Sequence, residues 1–256
     1  VIRMKVGIFD SGVGGITVLK TALKLLPQVD YIYYSDNNHV PYGTKTKEEV
    51  LGYVNDVVAF LISQQVDAIV IACNTATSIA VKTLRSRYPV PIIGMEPAVK
   101  LAFNHHSDGK VLVTATSLTL KEEKFKNLVN RLGEEERVCT LALPELVTFA
   151  EAFMFDEAQI KAYFKEKLKD YPLEEIVAIV LGCTHFVYFK KILKECLPPH
   201  ITVYDGNEGT IRHLKELIDS EKIMHIRKEP EVTFYYSGKR CESKELLNKY
   251  LDIIEV

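Results

Sequence analysis

Along most of the chain, short apolar runs alternate with longer stretches of helical period, and this alternation constrains the fold more than any other feature. Lys5-Val6-Gly7-Ile8-Phe9 leads into a periodic segment from Gly15 to Leu26, Tyr31 to Tyr34 into one from Lys47 to Gln64, and Ala68 to Ala72 into one from Thr77 to Arg87. After Pro89-Val90-Pro91-Ile92-Ile93-Gly94 the rhythm restarts with Lys110-Val111-Leu112-Val113 and a helix through Lys121 to Arg131. Ile176 to Leu181 then precedes a helical stretch from Val187 to Cys196, and Ile201-Thr202-Val203-Tyr204 opens another run. Strand, helix, strand in this order is the unit of a parallel sheet covered by helices. With 256 residues and a prior of about 150 residues per domain, the chain is expected to form two α/β domains.

Two of the apolar runs nearly repeat each other. AIVIACNTAT begins at Ala68 and AIVLGCTHF at Ala178; Ala68-Ile69-Val70 and Ala178-Ile179-Val180 align without a gap, and each run ends in a cysteine, Cys73 or Cys183. Parallel strands are all rich in Val and Ile, so the apolar part of the match carries little weight. A cysteine at the same strand end in both halves is a stronger sign of two half-chains of similar build.

In open parallel sheets, ligands bind beyond the carboxyl ends of the strands. The residues there are uniformly small and polar: Asp10-Ser11, Ser35-Asp36, Cys73-Asn74-Thr75, Thr114-Ala115-Thr116 and Cys183-Thr184-His185. Cysteine just before a helix has backbone N–H groups nearby, which can lower a thiol pKa from about 8.5 to roughly 3.5–7.5. A single such cysteine beside a histidine points to a nucleophilic hydrolase or transferase. Two, from matching halves that face each other, place sulfur on opposite sides of whatever lies between. One can then remove a proton while the other supplies one to the reverse face, which is racemisation or epimerisation. The inert alternative for each cysteine is a small buried hydrophobe. His185, two positions after Cys183, and Asp10, at another strand end, are placed to tune the thiols. Ser11, Asn74, Thr75 and Thr184 suit an ammonium and a carboxylate, and equally suit helix N-capping. In FDSGVGG, from Phe9, a glycine turn leads into a helix, and its free N–H groups form an anion site. It is not GxGxxG, so a nucleotide is not indicated.

Composition narrows the partners. Net charge is -2, with no long Lys/Arg cluster, so the electrostatic footprint of a nucleic-acid binder is missing and a small-molecule substrate is expected. The five cysteines, Cys73, Cys139, Cys183, Cys196 and Cys241, have no CxxC spacing; they read as reduced thiols of a cytoplasmic protein. No apolar run approaches the roughly 18 residues of a membrane span. The histidines, His225 among them, share no metal-ligand spacing, so no metal is assigned.

The motifs FDSGVGG from Phe9, VPYGTK from Val40, ACNTA from Ala72, MEPAVK from Met95 and LGCTHF from Leu181 together resemble the cofactor-independent glutamate racemases, over most of the chain to about residue 205. Beyond it only Tyr236-Ser237-Gly238 gives a faint echo. The resemblance implies an α/β protein of two pseudo-symmetric domains, each with a mostly parallel sheet flanked by helices, and an active site in the cleft between them. Residues 1–98 with 207–256 are expected to form the first domain and 99–206 the second, in a homodimer that needs no cofactor. It also implies an acid/base pair at Cys73 and Cys183, assisting residues at Asp10 and His185, and substrate contacts at Asp10, Ser11, Tyr42, Gly43, Asn74, Thr75, Thr184 and His185. An auxiliary glutamate matches Glu151 in Leu146-Val147-Thr148-Phe149-Ala150-Glu151, with Thr148 where the pattern has proline. Other departures are Ser35-Asp36-Asn37-Asn38 in place of Gly-Asp-Thr/Ser-Ala, Val187 in place of proline and Ala115 in place of glycine. The implied activity is interconversion of L- and D-glutamate, supplying D-glutamate for peptidoglycan. Racemisation of another acidic amino acid, a non-catalytic amino-acid-binding module and a Cys-His hydrolase remain open at this stage.

Overall fold

The computed structural model describes residues 4–95, 98–218 and 229–255. Glu96 and Pro97 of the MEPAVK stretch, and His225, lie outside the described residues.

The first half builds four parallel strands, β1 (Lys5–Asp10), β2 (Asp30–Ser35), β3 (Ala68–Ile71) and β4 (Ile92–Gly94), joined through helices α1 (Ile16–Leu25), α2 (Lys47–Ser63) and α3 (Asn74–Arg87). After α4 (Ala98–His105) come β5 (Lys110–Ala115), α5 (Ser117–Lys121), α6 (Glu123–Leu132), β6 (Val138–Ala142), α7 (Pro144–Glu151), α8 (Glu157–Leu168) and β7 (Ile176–Leu181). A 3-10 helix, Thr184–Phe189, leads to α9 (Lys190–Cys196), β8 (Thr202–Asp205), α10 (Asn207–Leu217), β9 (Val232–Tyr236), β10 (Lys239–Arg240) and α11 (Glu245–Ile253).

Strands order as β10-β9-β2-β1-β3-β4 in one sheet and β6-β5-β7-β8 in the other. The four-strand order is therefore the same in both: second, first, third, fourth strand of each half, all parallel. β3 corresponds to β7, so Cys73 and Cys183 follow equivalent strands. The central strands are buried on both faces, as parallel strands covered by helices must be; Val6, Ile8, Phe9, Ile69, Val70 and Ile71 have no exposed surface.

The structure departs from the sequence reading at two places. β6 was not anticipated, because it is an edge strand with no buried position and lacks the apolar signal of the inner strands. The stretch after β7 begins as a 3-10 helix, where β3 runs into a regular α-helix. The C-terminal segment extends the first sheet: β9 pairs parallel to β2, and β10 turns back antiparallel through Ser237 and Gly238, both at positive φ. The turn then pins the loop after β2, since Ser237 N donates to Ser35 O at 2.7 Å and Asn38 N donates to Ser237 Oγ at 2.7 Å. No helix among the described residues is long and apolar enough to cross a membrane.

Candidate active site

The carboxyl ends of β1, β2 and β3 face those of β5 and β7 across a small pocket. Ser11, Cys73, Asn74 and Thr75 line it from the first sheet, with Pro41, Tyr42 and Gly43 from the loop after β2. The second sheet contributes Thr116, Cys183, Thr184 and His185, and α7 contributes Val147. Both cysteines are buried and neither is in a disulfide. The pocket holds about 280 Å³, but only about 10 Å³ admits the centre of a water, roughly the room that one water needs. A larger cavity of about 200 Å³ on the same measure lies between α3 and the second sheet. It contains neither thiol, so the chemistry belongs to the smaller pocket.

Cys73 is the N-cap of α3: its sulfur accepts the Ala76 N–H at 3.4 Å and lies 3.9 Å from Ser11 Oγ. The capping role that Asn74 or Thr75 could have filled is thus taken by the thiol. The sequence alone pointed to a lowered thiol pKa here, and the structure reverses this for Cys73. Burial pushes the thiol up, the Asp10 carboxylate pushes it further, and one amide N–H does not offset the two.

Asp10 is completely buried behind this wall and does not line the pocket as it stands. Its Oδ2 accepts the Gly15 N–H at 2.7 Å, while Oδ1 has no partner among the described residues. Burial raises its pKa above the ordinary carboxylate value, against the pull of His185 and the Gly15 N–H.

The second sulfur has different company. Cys183 Sγ lies 3.7 Å from His185 Nδ1, and His185 Nε2 donates to Glu151 Oε1 at 2.6 Å. Burial opposes a charge on this histidine. Hydrogen bonds to Cys183 and Glu151, with their negative charges, outweigh it and hold the pKa well above the ordinary imidazole value. The two sulfurs therefore follow equivalent strands but differ in chemical surroundings: the Asp10 carboxyl group stands behind one and the His185 imidazole beside the other.

The glycine turn explains how Glu151 and His185 come so near. The anion expected at its free N–H groups is the protein's own: Val13 N donates to Glu151 Oε1 at 2.8 Å, and Gly15 N to Asp10. A Cβ on Gly12 would stand 1.8 Å from Glu151 Oε1, and one on Gly14 would stand 2.4 Å from His185 Nδ1 and 2.6 Å from Thr184 Oγ1. Only glycine lets the turn after β1 approach side chains from α7 and the segment after β7 this closely. Tyr33 OH donates to Gly12 O at 2.7 Å, and Tyr188 OH, from the 3-10 helix after β7, to Val13 O at 2.6 Å, so the turn is held from both sides.

At the opposite rim, Thr75, Thr116 and Thr119 form a triangle of hydroxyls, each pair 3.0 Å apart, that bridges α3 and α5. Thr116 also caps α5 and packs on Gly43, where an added Cβ would lie 2.8 Å from its own Cβ. Sequence reasoning noted Thr116 only as a strand-end residue, and missed Thr119, Pro41 and Val147. The strand-end rule could have found Thr116; the others come near only through the facing of the two sheets. Tyr42 is held by its hydroxyl, which donates to Asp36 Oδ2 at 2.6 Å. Among the described residues no group of three His, Cys, Asp or Glu side chains could hold a metal.

The sequence pattern that defines the Asp/Glu/hydantoin racemase family matches residues 17–214. A glutamate racemase of Halothermothrix orenii is 54% identical over 253 residues, covering 98% of this chain and 99% of that protein. Among solved structures, glutamate racemase from Campylobacter jejuni subsp. jejuni superimposes with a TM-score of 0.86 at 27% identity, over 99% of this chain and 100% of that one. Glutamate racemase from Francisella tularensis subsp. tularensis, solved in complex with D-glutamate, gives a TM-score of 0.82 at 27% identity, over 98% and 94% of the two chains. With two matching parallel sheets, a thiol at the same strand end of each, and this extent of similarity, the chain belongs to the Asp/Glu/hydantoin racemase family.

Proposed function

We propose that the protein is a glutamate racemase in which Cys73 and Cys183 exchange protons with opposite faces of Cα. The observation that carries this reading is that cysteines from equivalent strands of two sheets line one pocket. One thiolate takes the Cα proton, the electron pair remains as a carbanion next to the substrate carboxylate, and the opposite thiol delivers its proton to the other face. Ser11, Tyr42, Gly43, Asn74, Thr75 and Thr184 hold the amino acid and donate to the developing negative charge, which fixed donors in a water-poor site stabilise best. Asp10 manages the proton of Cys73 from behind the pocket wall, and His185, held by Glu151, manages that of Cys183. Burial and the Asp10 carboxylate push Cys73 towards the thiol form.

The described residues lining the pocket include no lysine on which a pyridoxal aldehyde could be carried, so the cycle is written with thiols alone. General acid–base assistance contributes about 10²–10⁴-fold per positioned group. The remainder must come from orientation and exclusion of water, and a pocket with room for one water has to open to admit glutamate. We therefore assign the opening to movement of residues 99–206 against 1–98 with 207–256. Glutamate, rather than another acidic amino acid, is chosen because relatives matching nearly the whole chain are glutamate racemases. In this reading the enzyme is a cytoplasmic homodimer that supplies D-glutamate for peptidoglycan.

The test is the circular-dichroism signal of L-glutamate with purified protein and no added cofactor. It should decay to zero, with D-glutamate giving the mirror-image course. Because the enantiomers have equal free energy, kcat/KM must be the same in both directions. Saturable binding with a constant signal would instead identify an amino-acid-binding module, and a covalent acyl-enzyme a hydrolase.

A further inference from the structure

Glu151 holds His185 with one carboxylate oxygen, and the structure gives its other oxygen a dedicated partner. Asn37, in the loop after β2, donates from Nδ2 to Glu151 Oε2 at 2.9 Å. The amide is oriented in turn by Ser35, whose hydroxyl bonds to Asn37 Oδ1. A carboxylate offers only acceptors, so the NH2 end must face Glu151 and the carbonyl end must face Ser35. Ser35, at the end of β2, is fully buried and Asn37 partly so, and the β9–β10 turn pins the loop through Ser35 O and Asn38 N. A continuous hydrogen-bonded line thus runs from Ser35 through Asn37, Glu151 and His185 to Cys183.

From this geometry we infer that Asn37 is a positioning residue for the reaction. It fixes the Glu151 carboxylate so that Oε1 faces both the Val13 N–H and His185, and so governs proton transfer at Cys183 without touching substrate. Asn37 does not line the pocket. Its effect is therefore on the proton transfers within the bound complex, and it appears in kcat rather than in KM. The line also crosses between domains, since Ser35 and Asn37 belong to the first sheet and its loop while Glu151 and His185 belong to the second half. The inference rests on the racemase reading given above.

The test uses Asn37→Ala and Asn37→Asp in the full chain. Removing the donor costs about 10-fold in kcat, the range of one hydrogen bond to a charged group, with KM changed less than about twofold. The near-isosteric Asn37→Asp sets a second carboxylate against Glu151. The titratable groups around that site are His185, Asp10, Tyr33, Tyr188, Tyr236 and Tyr250. The variant loses more than Asn37→Ala at high pH and recovers as pH falls, because the introduced carboxyl, once protonated, can again donate to Glu151 Oε2. A packing role would not produce this pH-dependent recovery. Independently of turnover, the proton on His185 Nε2 should resonate far downfield in the NMR spectrum of the wild-type protein and shift upfield in Asn37→Ala.

Wild-type kcat in Asn37→Ala, a deficit in Asn37→Asp that is the same at every pH, or an unmoved His185 resonance would each overturn the assignment of Asn37. Wild-type protein that fails to racemise glutamate would overturn the functional reading instead, and the His185 resonance would still decide whether Asn37 holds the pair.

Discussion

Replacing Gly14 by alanine tests whether the glycine turn is the surface on which the second half of the site is aligned. Gly14 is not among the residues with positive φ, so alanine is allowed by the backbone and its effect is steric. The new methyl would lie 2.4 Å from His185 Nδ1 and 2.6 Å from Thr184 Oγ1, where ordinary contact begins at 3.4 Å. Relief demands a shift of about 1 Å by the histidine, the threonine or the turn, and Nδ1 is the atom that faces Cys183. A displacement of about 1 Å at reacting groups costs on the order of 10²-fold in rate, or about 2.7 kcal/mol of barrier. Overpacking a close-fitted site costs about 1–3 kcal/mol of stability, within the total of about 5–15 kcal/mol for an ordinary protein. The variant therefore stays folded. Polarimetry on both enantiomers gives kcat and KM, and urea unfolding gives the stability. Gly52→Ala is the control, because a Cβ there meets nothing within 4 Å; in an exposed helix interior it should add about 0.5–1 kcal/mol and leave turnover unchanged. Wild-type kcat in Gly14→Ala would refute the argument, since it would mean that His185 and Thr184 need not stand where the turn puts them.

Further consequences concern the His185–Glu151 pair and the hydroxyl triangle. With its pKa raised in the folded state, His185 contributes stability fully below its unfolded value of 6.5, and this contribution is lost as pH rises through the folded value. Unfolding free energy should thus decline with pH above about 6.5, and Glu151→Gln should flatten that decline while lowering kcat by about 10–10²-fold, the effect of one or two charge-assisted hydrogen bonds. An unchanged pH slope in Glu151→Gln, measured by urea titration at several pH values, would show that the pair is not coupled. Thr116→Val removes one corner of the hydroxyl triangle and the cap of α5, and should cost about 1–2 kcal/mol; a loss below about 0.3 kcal/mol would show that solvent substitutes for it.

What the sequence made legible follows from what is local. Cys73 and Cys183 stood out because each ends a buried Ile/Val strand, and the shared strand order explains why the two stretches look alike. The alternation of apolar runs and helical segments sufficed for two parallel sheets, since inner strands carry an apolar signal that needs no tertiary knowledge. β6 failed the same criterion because no position on it is buried. The turn through Gly12 and Gly14 read as an anion site, which in a sense it is, but its Val13 N–H meets Glu151 from more than a hundred positions away, a contact no local pattern encodes. Asn37 was visible only as a departure in a motif, and its bond to Glu151 joins the loop after β2 to α7, more than a hundred positions on. The reversal at Cys73 has the same origin: a strand-end N–H is predictable from sequence, whereas burial beside Asp10 is not.

The proposed reaction depends most directly on two sulfurs serving one carbon. L- and D-glutamate should be incubated separately in D2O with the wild-type protein and with Cys73→Ala and Cys183→Ala, followed by NMR detection of Cα deuterium in each enantiomer. Wild type should form the opposite enantiomer carrying deuterium from either starting point, and each single-thiol variant should form none. Racemisation at the wild-type rate by either variant would contradict it.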